Sequence, residues 1–169
     1  MPLFIDRLPF NRWVDATRQP LVENWTIVLP VMLTDSTVVV PPVAGVQEWA
    51  LDTGSRGEAF AWRHHLLQAG LDPLAYRLPR PMRIRTVSGQ VIVPVREADL
   101  WLVSNIPALM STPYRIPLAS GVPFQDAPTL PDPHYNRPLI GMRALRTAGV
   151  RVELDFGADT VSVWTPDVP

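Results

Sequence analysis

Twenty prolines in 169 residues limit the length of any helix or strand that this chain can form. Proline fixes its own φ angle and has no backbone N–H, so it breaks helix interiors and interrupts central strands. Short strands joined by turns are therefore expected, with few helices. Hydrophobic residues make up 47% and charged residues 18% of the chain, a composition that favours a globular domain over disorder.

Composition also excludes several classes of function. Cysteine is absent, which rules out disulfides, thiolate nucleophiles and cysteine-ligated zinc. His64 and His65 are adjacent rather than spaced for one metal-binding face, so a metal site built on histidine is not expected, while a weakly bound cation held by Asp and Glu alone stays open. Our prediction is no metal and no cofactor. The formal net charge of −1 gives no field to attract nucleic acid or an anionic membrane, and neither is expected as a partner. No signal peptide or membrane span is recognisable, so a cytoplasmic location is expected.

Several short segments alternate apolar and polar residues or carry β-branched runs, as strands do. The predicted strands cover residues 25–33, 47–51, 82–87, 90–93, 98–103, 150–156 and 161–163. Ser88-Gly89 lies between two of them and predicts a β-hairpin. Residues 58–68 and 142–148 each end close to a glycine, and they predict two short helices.

These segments predict one mostly β domain over residues 24–166, preceded by an N-terminal extension, residues 1–23, that lies over it. Residues 106–138 are a proline-rich insertion without a clear period. A connection of that length is uncommon inside a compact domain and is often functional. Covering an edge strand, extending a dimer interface and shaping a substrate cleft are all open as its role.

The predicted strand 47–51 leads into Asp52, Thr53, Gly54 and Ser55. A carboxylate at the end of a buried strand is held rigidly, and a glycine two residues later lets another backbone approach closely. The two hydroxyl groups beside the carboxylate can orient it or donate to it. Asp-Thr-Gly is also an ordinary turn after a strand, so the motif alone leaves a catalytic and a structural interpretation open.

Together with the segments that follow it, this motif resembles the retropepsin-like aspartic proteases. In that family an apolar strand ending in Asp-Thr-Gly-Ala/Ser is followed by a flap hairpin. An apolar-apolar-Gly segment then opens a short helix, and a strand pair closes the domain. The chain has these parts in the same order over residues 25–165: Leu51–Ser55, the hairpin around Ser88-Gly89-Gln90, Leu139-Ile140-Gly141, the helix 142–148, and residues 149–164.

The resemblance implies a closed or partly open β-barrel of the acid-protease type with one or two short helices. It also assigns roles to individual residues. The catalytic loop would be Asp52, Thr53 and Gly54, the substrate contacts Ser55, Ser88, Gly89 and Gln90, and the support behind the loop Ile140 and Gly141.

A homodimer follows from the chemistry that the resemblance implies. Hydrolysing a peptide bond without a metal or a covalent intermediate needs one group that takes a proton and another that gives one. Two carboxylates about 3 Å apart cannot both ionise, so the pair shares one proton and supplies both groups. The chain has one Asp-Thr-Gly, so Asp52 would meet Asp52 of a second copy across a twofold axis, with a peptide or protein as substrate.

Two positions depart from the family pattern. The family usually has an arginine after the glycine of the helix segment, and it pairs with an acid just beyond Asp-Thr-Gly. Here Met142 and Arg56 stand in those places, and Arg143 points to another helix face. Two other interpretations therefore stay open. One is a catalytically inactive retropepsin-like module that binds peptides or serves in assembly, and the other is an unrelated small β-barrel.

Overall fold

The computed structural model describes residues 1–15, 19–40, 45–55, 57–75, 81–86, 89–127 and 136–166. Strands account for 50% of the described residues and helices for 11%, which confirms the predicted mostly β fold with two short helices. Among the residues described, no helix is both long enough and apolar enough to cross a membrane.

Fifteen strands and two helices make up the described fold. The strands are β1 (Leu3–Pro9), β2 (Asn11–Asp15), β3 (Val22–Thr26), β4 (Val28–Asp35), β5 (Gln47–Asp52), β6 (Ala59–Trp62), β7 (Met82–Thr86), β8 (Gly89–Val93), β9 (Val95–Arg96), β10 (Ala98–Leu102), β11 (Tyr114–Ile116), β12 (Val122–Gln125), β13 (Leu139–Gly141), β14 (Arg151–Asp155) and β15 (Thr160–Trp164). The helices are α1 (Arg63–Gln68) and α2 (Met142–Thr147), and a 3-10 turn covers Pro107–Leu109.

Eight of these strands form one sheet that is curled into a half-barrel, in the order β11-β10-β4-β5-β13-β6-β12-β9. β9 lies at one edge and β10 is second from the other edge, yet Glu97 alone connects them. A one-residue connection requires the two ends of the sheet to lie close together, so the sheet has to curl. Arg96 of β9 reinforces the curl, because its Nη2 lies 2.6 Å from the Asp35 carboxylate at the end of β4.

The core fills the inside of this curled sheet. β10 is buried along its whole length and β4 along most of it, as strands covered on both faces are. Asp99, a buried acid within β10, is neutralised by Arg115 of β11, whose Nη2 lies 2.6 Å from the carboxylate. The largest fully buried side chains are those of Trp49, Phe4, Phe124, Ile5, Leu29, Leu66, Leu100, Leu102, Ile116, Ile140, Leu145 and Val31.

Two antiparallel hairpins and a three-stranded sheet complete the fold. The sheet has the order β1-β15-β14, and the hairpins are β2–β3 and β7–β8. The hairpin predicted around Ser88-Gly89 is confirmed, with register partners running from Met82↔Val93 to Thr86↔Gly89. The predicted closing strand pair is confirmed as β14 and β15.

The N-terminal segment is part of the core structure. β1 pairs with β15 in an antiparallel arrangement, and Phe4 and Ile5 of β1 are fully buried. The predicted boundary between residues 23 and 24 falls inside β3. Residues 1–23 therefore supply strands to the fold instead of lying over a finished domain.

Two further predictions are corrected. The helix predicted over residues 58–68 was wrong in its first half, because residues 59–62 form β6 and only Arg63–Gln68 is helical. The proline-rich insertion, residues 106–138, contains β11 and β12, and β12 pairs with both β6 and β9. Phe124 of β12 is buried in the core, so much of this segment is integral to the sheet.

Candidate functional site

Asp52 is the last residue of β5, a strand whose residues 49–51 are buried. The Asp52 side chain is half-buried, and its Oδ1 accepts a hydrogen bond from the Gly54 N–H at 3.0 Å. The Ser55 N–H approaches the Asp52 carbonyl oxygen at 3.4 Å. Oδ2 has no hydrogen-bond partner within the described ranges. One oxygen of the carboxylate is thus fixed by the turn.

The loop that carries Asp52 is held at both ends by a strand from much later in the chain. β13 runs parallel to β5, with Ile140 opposite Leu51 and Gly141 opposite Asp52. On its other side β13 runs antiparallel to β6, with Ile140 opposite Ala59. β13 is therefore inserted between the two strands that the Asp52 loop connects, which fixes the spacing of the loop ends.

Gly141 allows a close approach behind the loop that no other residue would permit. A Cβ atom at this position would lie 2.2 Å from the Gly57 carbonyl oxygen, well inside van der Waals contact. The Gly141 N–H donates a 2.9 Å hydrogen bond to the Glu58 carbonyl oxygen. The structure thus places Ile140 in the core and Gly141 against the backbone of the Asp52 loop.

Glu58 is a buried acid that the sequence analysis did not single out. Its side chain is 5% exposed, and Oε2 accepts a 2.9 Å hydrogen bond from the Ser120 N–H. Together with the bond from Gly141 to its carbonyl oxygen, this contact ties the Asp52 loop to β13 and to the turn before β12. In the sequence this acid stands directly before the apolar run of β6. A buried acid usually has a specific partner.

Three residues near the loop stand at the positions where the sequence departs from the retropepsin-like pattern. Met142 is the first residue of α2 and packs, partly buried, against the core. Arg143 is exposed and forms no ion pair among the described residues, while Arg56 lies outside them. The contacts of Gly141 with Gly57 and of Glu58 with Ser120 hold the loop.

The predicted site residues lie on three parts of the structure: the Asp52 loop, the β7–β8 hairpin and β13. Thr53 and Gly54 are exposed and Ser55 is half-buried, all on the loop of Asp52. Gly89 and Gln90 begin β8 on the hairpin, and Ser88 lies outside the described residues. The hairpin is a separate two-stranded sheet, and Pro94 alone connects β8 to β9 at one edge of the eight-stranded sheet.

A cleft of about 450 Å³ lies at the opposite end of β5 and β13 from Asp52, and its lining includes His64, His65, Glu48 and Arg137. Burial, with a smaller effect from the neighbouring His64, lowers the pKa of His65 to about 4. Arg137 is paired with Glu48 at 3.2 Å. Across the described part of the chain, no three His, Asp or Glu side chains are grouped so that they could hold a metal ion.

No protein-family model matches this chain, and no curated protein sequence is significantly similar to it.

Proposed function

We propose that this chain is an aspartic endopeptidase of the retropepsin-like kind, with a site that two copies of the chain complete. The observation that carries the proposal is the half-buried Asp52 carboxylate at the end of β5. Its Oδ1 is bound to the Gly54 N–H, and Oδ2 is without a partner among the described residues. A carboxylate that a backbone N–H holds in position is suited to proton transfer.

The proposed chemistry uses two such carboxylates. The ionised Asp52 of one copy takes a proton from a water molecule, whose oxygen attacks the carbonyl carbon of the peptide bond. The protonated Asp52 of the other copy donates its proton to the carbonyl oxygen. Collapse of the intermediate breaks the C–N bond and transfers a proton to the leaving amine, without a metal or a covalent intermediate.

The bracing of the loop supports this assignment. Acid–base catalysis requires the reacting groups to be held within a fraction of an ångström, since misplacement of about 1 Å costs orders of magnitude in rate. Gly141, in register with Asp52, and buried Glu58 fix the loop from behind through backbone hydrogen bonds. As part of the proposal, the half-barrel with its inserted strand β13 is a barrel of the acid-protease type.

A catalytically inactive peptide-binding or assembly module is the second candidate. It is favoured by Met142, which packs against the core where the family has an arginine, and by Arg143, which is exposed instead of paired. This candidate keeps the fold and the dimer and differs only in having no cleavage at the Asp52 pair. Activity therefore separates the two.

The test is cleavage of a diverse peptide library from about pH 4 to 7, with the wild type compared with Asp52→Asn. Removing the proton-accepting carboxylate should lower the cleavage rate by about 1,000-fold or more. Light scattering on the same samples should give the mass of a dimer. An Asp52→Asn variant that retains cleavage would rule out the proposed mechanism.

Asp155→Asn is the matched control. Asp155 also ends a strand, and its Oδ1 accepts the N–H of the glycine two residues later at 2.9 Å. The substitution changes the same functional group by the same atom in an equivalent local turn, so it should leave cleavage unchanged. No cleavage by a folded wild-type dimer would favour the inactive module.

A further inference from the structure

The outer face of the β7–β8 hairpin carries two arginines side by side. In the hairpin register Arg83 lies opposite Ile92 and Arg85 opposite Gln90, so these four side chains share one face. All four are exposed, and the Ile92 side chain is 66% exposed. The other face carries the half-buried Ile84 and Val91 and the buried Val93. The hairpin therefore has one inward apolar face and one outward cationic face.

The cationic face belongs to a segment without any acidic residue. Residues 73–96 contain five arginines and neither Asp nor Glu, although the formal net charge of the whole chain is −1. Arg96, the last of the five, is buried and paired with Asp35. Arg83 and Arg85 form no ion pair among the described residues, whereas Arg12 and Arg151, on other exposed strands, are both paired. The hairpin thus carries positive charge that no ion pair neutralises among the residues the structure describes.

The spacing of the two arginines matches that of an extended peptide. Residues i and i+2 of a strand lie about 7 Å apart on the same face. An extended segment with Asp or Glu at positions i and i+2 would therefore present two carboxylates at the separation of Arg83 and Arg85. A guanidinium group binds a carboxylate through two parallel hydrogen bonds, which makes arginine selective for this partner.

From this charge and spacing we propose that the outer face of the β7–β8 hairpin docks an extended acidic polypeptide segment, with Asp or Glu at two alternate positions. The exposed Ile92 beside Arg83 adds an apolar contact for a side chain of the same segment. That the docked segment belongs to a substrate rests on the proposed peptidase function. The docking itself depends only on the hairpin surface.

A nucleic acid is the less suitable occupant. Its affinity comes from many phosphate contacts at once, whereas this face offers two arginines on a hairpin of a chain with net charge −1. A short oligonucleotide is nevertheless the appropriate competitor in the test, because it carries the same sign of charge as the peptide.

The test uses the Asp52→Asn protein, so that binding is measured without cleavage. Fluorescence anisotropy would compare two labelled peptides of equal charge, one with glutamates at positions i and i+2 and one with glutamates at i and i+1. Adjacent residues of an extended segment point to opposite faces, so only the first peptide can reach both arginines. It should bind several-fold more tightly, and raising the salt concentration should weaken the binding.

Replacing both arginines, Arg83→Gln with Arg85→Gln, should weaken binding of the first peptide by roughly fivefold, as expected for two exposed ion pairs. The control is Arg143→Gln with Arg146→Gln, which removes the same charge from two exposed arginines of α2 and should leave binding unchanged. Equal affinities of the two double variants, equal affinities of the two peptides, or tighter binding of an oligonucleotide of equal charge would each overturn the docking proposal.

The result of the binding test can be told apart from the result of the cleavage test of the proposed function. Docking that depends on Arg83 and Arg85, in a protein whose wild type cleaves no peptide, supports the acidic partner and removes the peptidase. Cleavage by the wild type with the same affinity in both double variants removes the docking proposal and leaves the peptidase.

Discussion

The turns that follow β5 and β14 are built alike. Each strand ends at an aspartate whose Oδ1 accepts the N–H of a glycine two residues later, at 3.0 Å in the turn of Asp52 and at 2.9 Å in the turn of Asp155. An aspartate side chain that bonds to its own backbone two residues on is common turn chemistry. At this level of detail the two aspartates are equivalent.

Their surroundings are different. β5 has a paired strand on each side, β4 and β13, and Asp52 is half-buried. Among the described strands β14 is an edge strand paired with β15 alone, and Asp155 is exposed. Oδ1 of Asp155 also accepts the Ala158 N–H at 3.0 Å, and this second hydrogen bond helps to close the β14–β15 hairpin. The local motif therefore makes the turn in both places. The strand inserted beside β5 is what distinguishes Asp52 as a candidate for chemistry.

The largest expected effect on stability is at the strand insertion. Gly141→Ala should lower the free energy of unfolding by about 3 kcal/mol or more, because the new Cβ would lie 2.2 Å from the Gly57 carbonyl oxygen and the backbone would have to move. Denaturant unfolding would measure it, with Gly157→Ala in the exposed turn as the control. A Gly141→Ala variant as stable as the control would show that β13 does not hold the Asp52 loop as described.

A third aspartate, Asp35, is expected to make the stability of the fold depend on pH. Oδ1 of Asp35 accepts hydrogen bonds from the backbone N–H of Thr37 at 3.0 Å and from its hydroxyl at 2.7 Å, and Oδ2 binds Arg96. These interactions, led by those with Thr37, lower the pKa of Asp35 to about 2. The lowered pKa stabilises the fold above the unfolded pKa near 4, and that contribution is lost as the pH falls from about 4 to about 2.

Urea unfolding at pH 4 and at pH 2 would therefore show a smaller loss of stability in Asp35→Asn than in the wild type, by about 1–2 kcal/mol. Asp155→Asn is the control with an exposed carboxylate. If the wild type and Asp35→Asn lose the same stability between these two pH values, the Asp35 carboxylate does not make the bonds described.

The smallest expected effect is at the two turn glycines. A Cβ at Gly54 would lie 3.5 Å from Oδ1 of Asp52, and a Cβ at Gly157 would lie 3.3 Å from Oδ1 of Asp155. Both distances require little or no movement, so Gly54→Ala and Gly157→Ala should each change the free energy of unfolding by no more than about 1 kcal/mol. Thermal or denaturant unfolding would test this. A much larger loss in Gly54→Ala alone would place tertiary contacts in the Asp52 turn as well as behind it.

The sequence predicted elements well where the local pattern agrees with the final packing. The β7–β8 hairpin alternates apolar and polar residues around Ser88-Gly89, and strand pairing uses that same alternation. The β14–β15 pair is similar. The strand before Asp52 was also predictable, because the apolar run of β5 ends at a motif rich in turn-forming residues.

The elements that were missed depend on distant partners. Residues 59–62 are a short apolar run that fits a helix or a strand, and pairing with β12 and β13 decides for a strand. In β1 the alternation is broken by register shifts and by Arg7, whose φ of 43° lies in the left-handed region. β12 includes Pro123, and its sequence does not predict a strand because proline has no N–H to donate to a neighbouring strand. Glu58 is recognisable as a brace only from its contact with Ser120.

The insertion of β13 also implies an order in which parts of the fold form. Six strands, β7 to β12, are made between β6 and β13, so the gap between β5 and β6 stays unfilled until most of the chain exists. Contacts between residues so distant in sequence form late and slowly, because a long loop must close first. A nascent or truncated chain that ends before Leu139 lacks the strand that holds both ends of the Asp52 loop. Completion of synthesis past Gly141 is thereby a condition for a formed Asp52 loop.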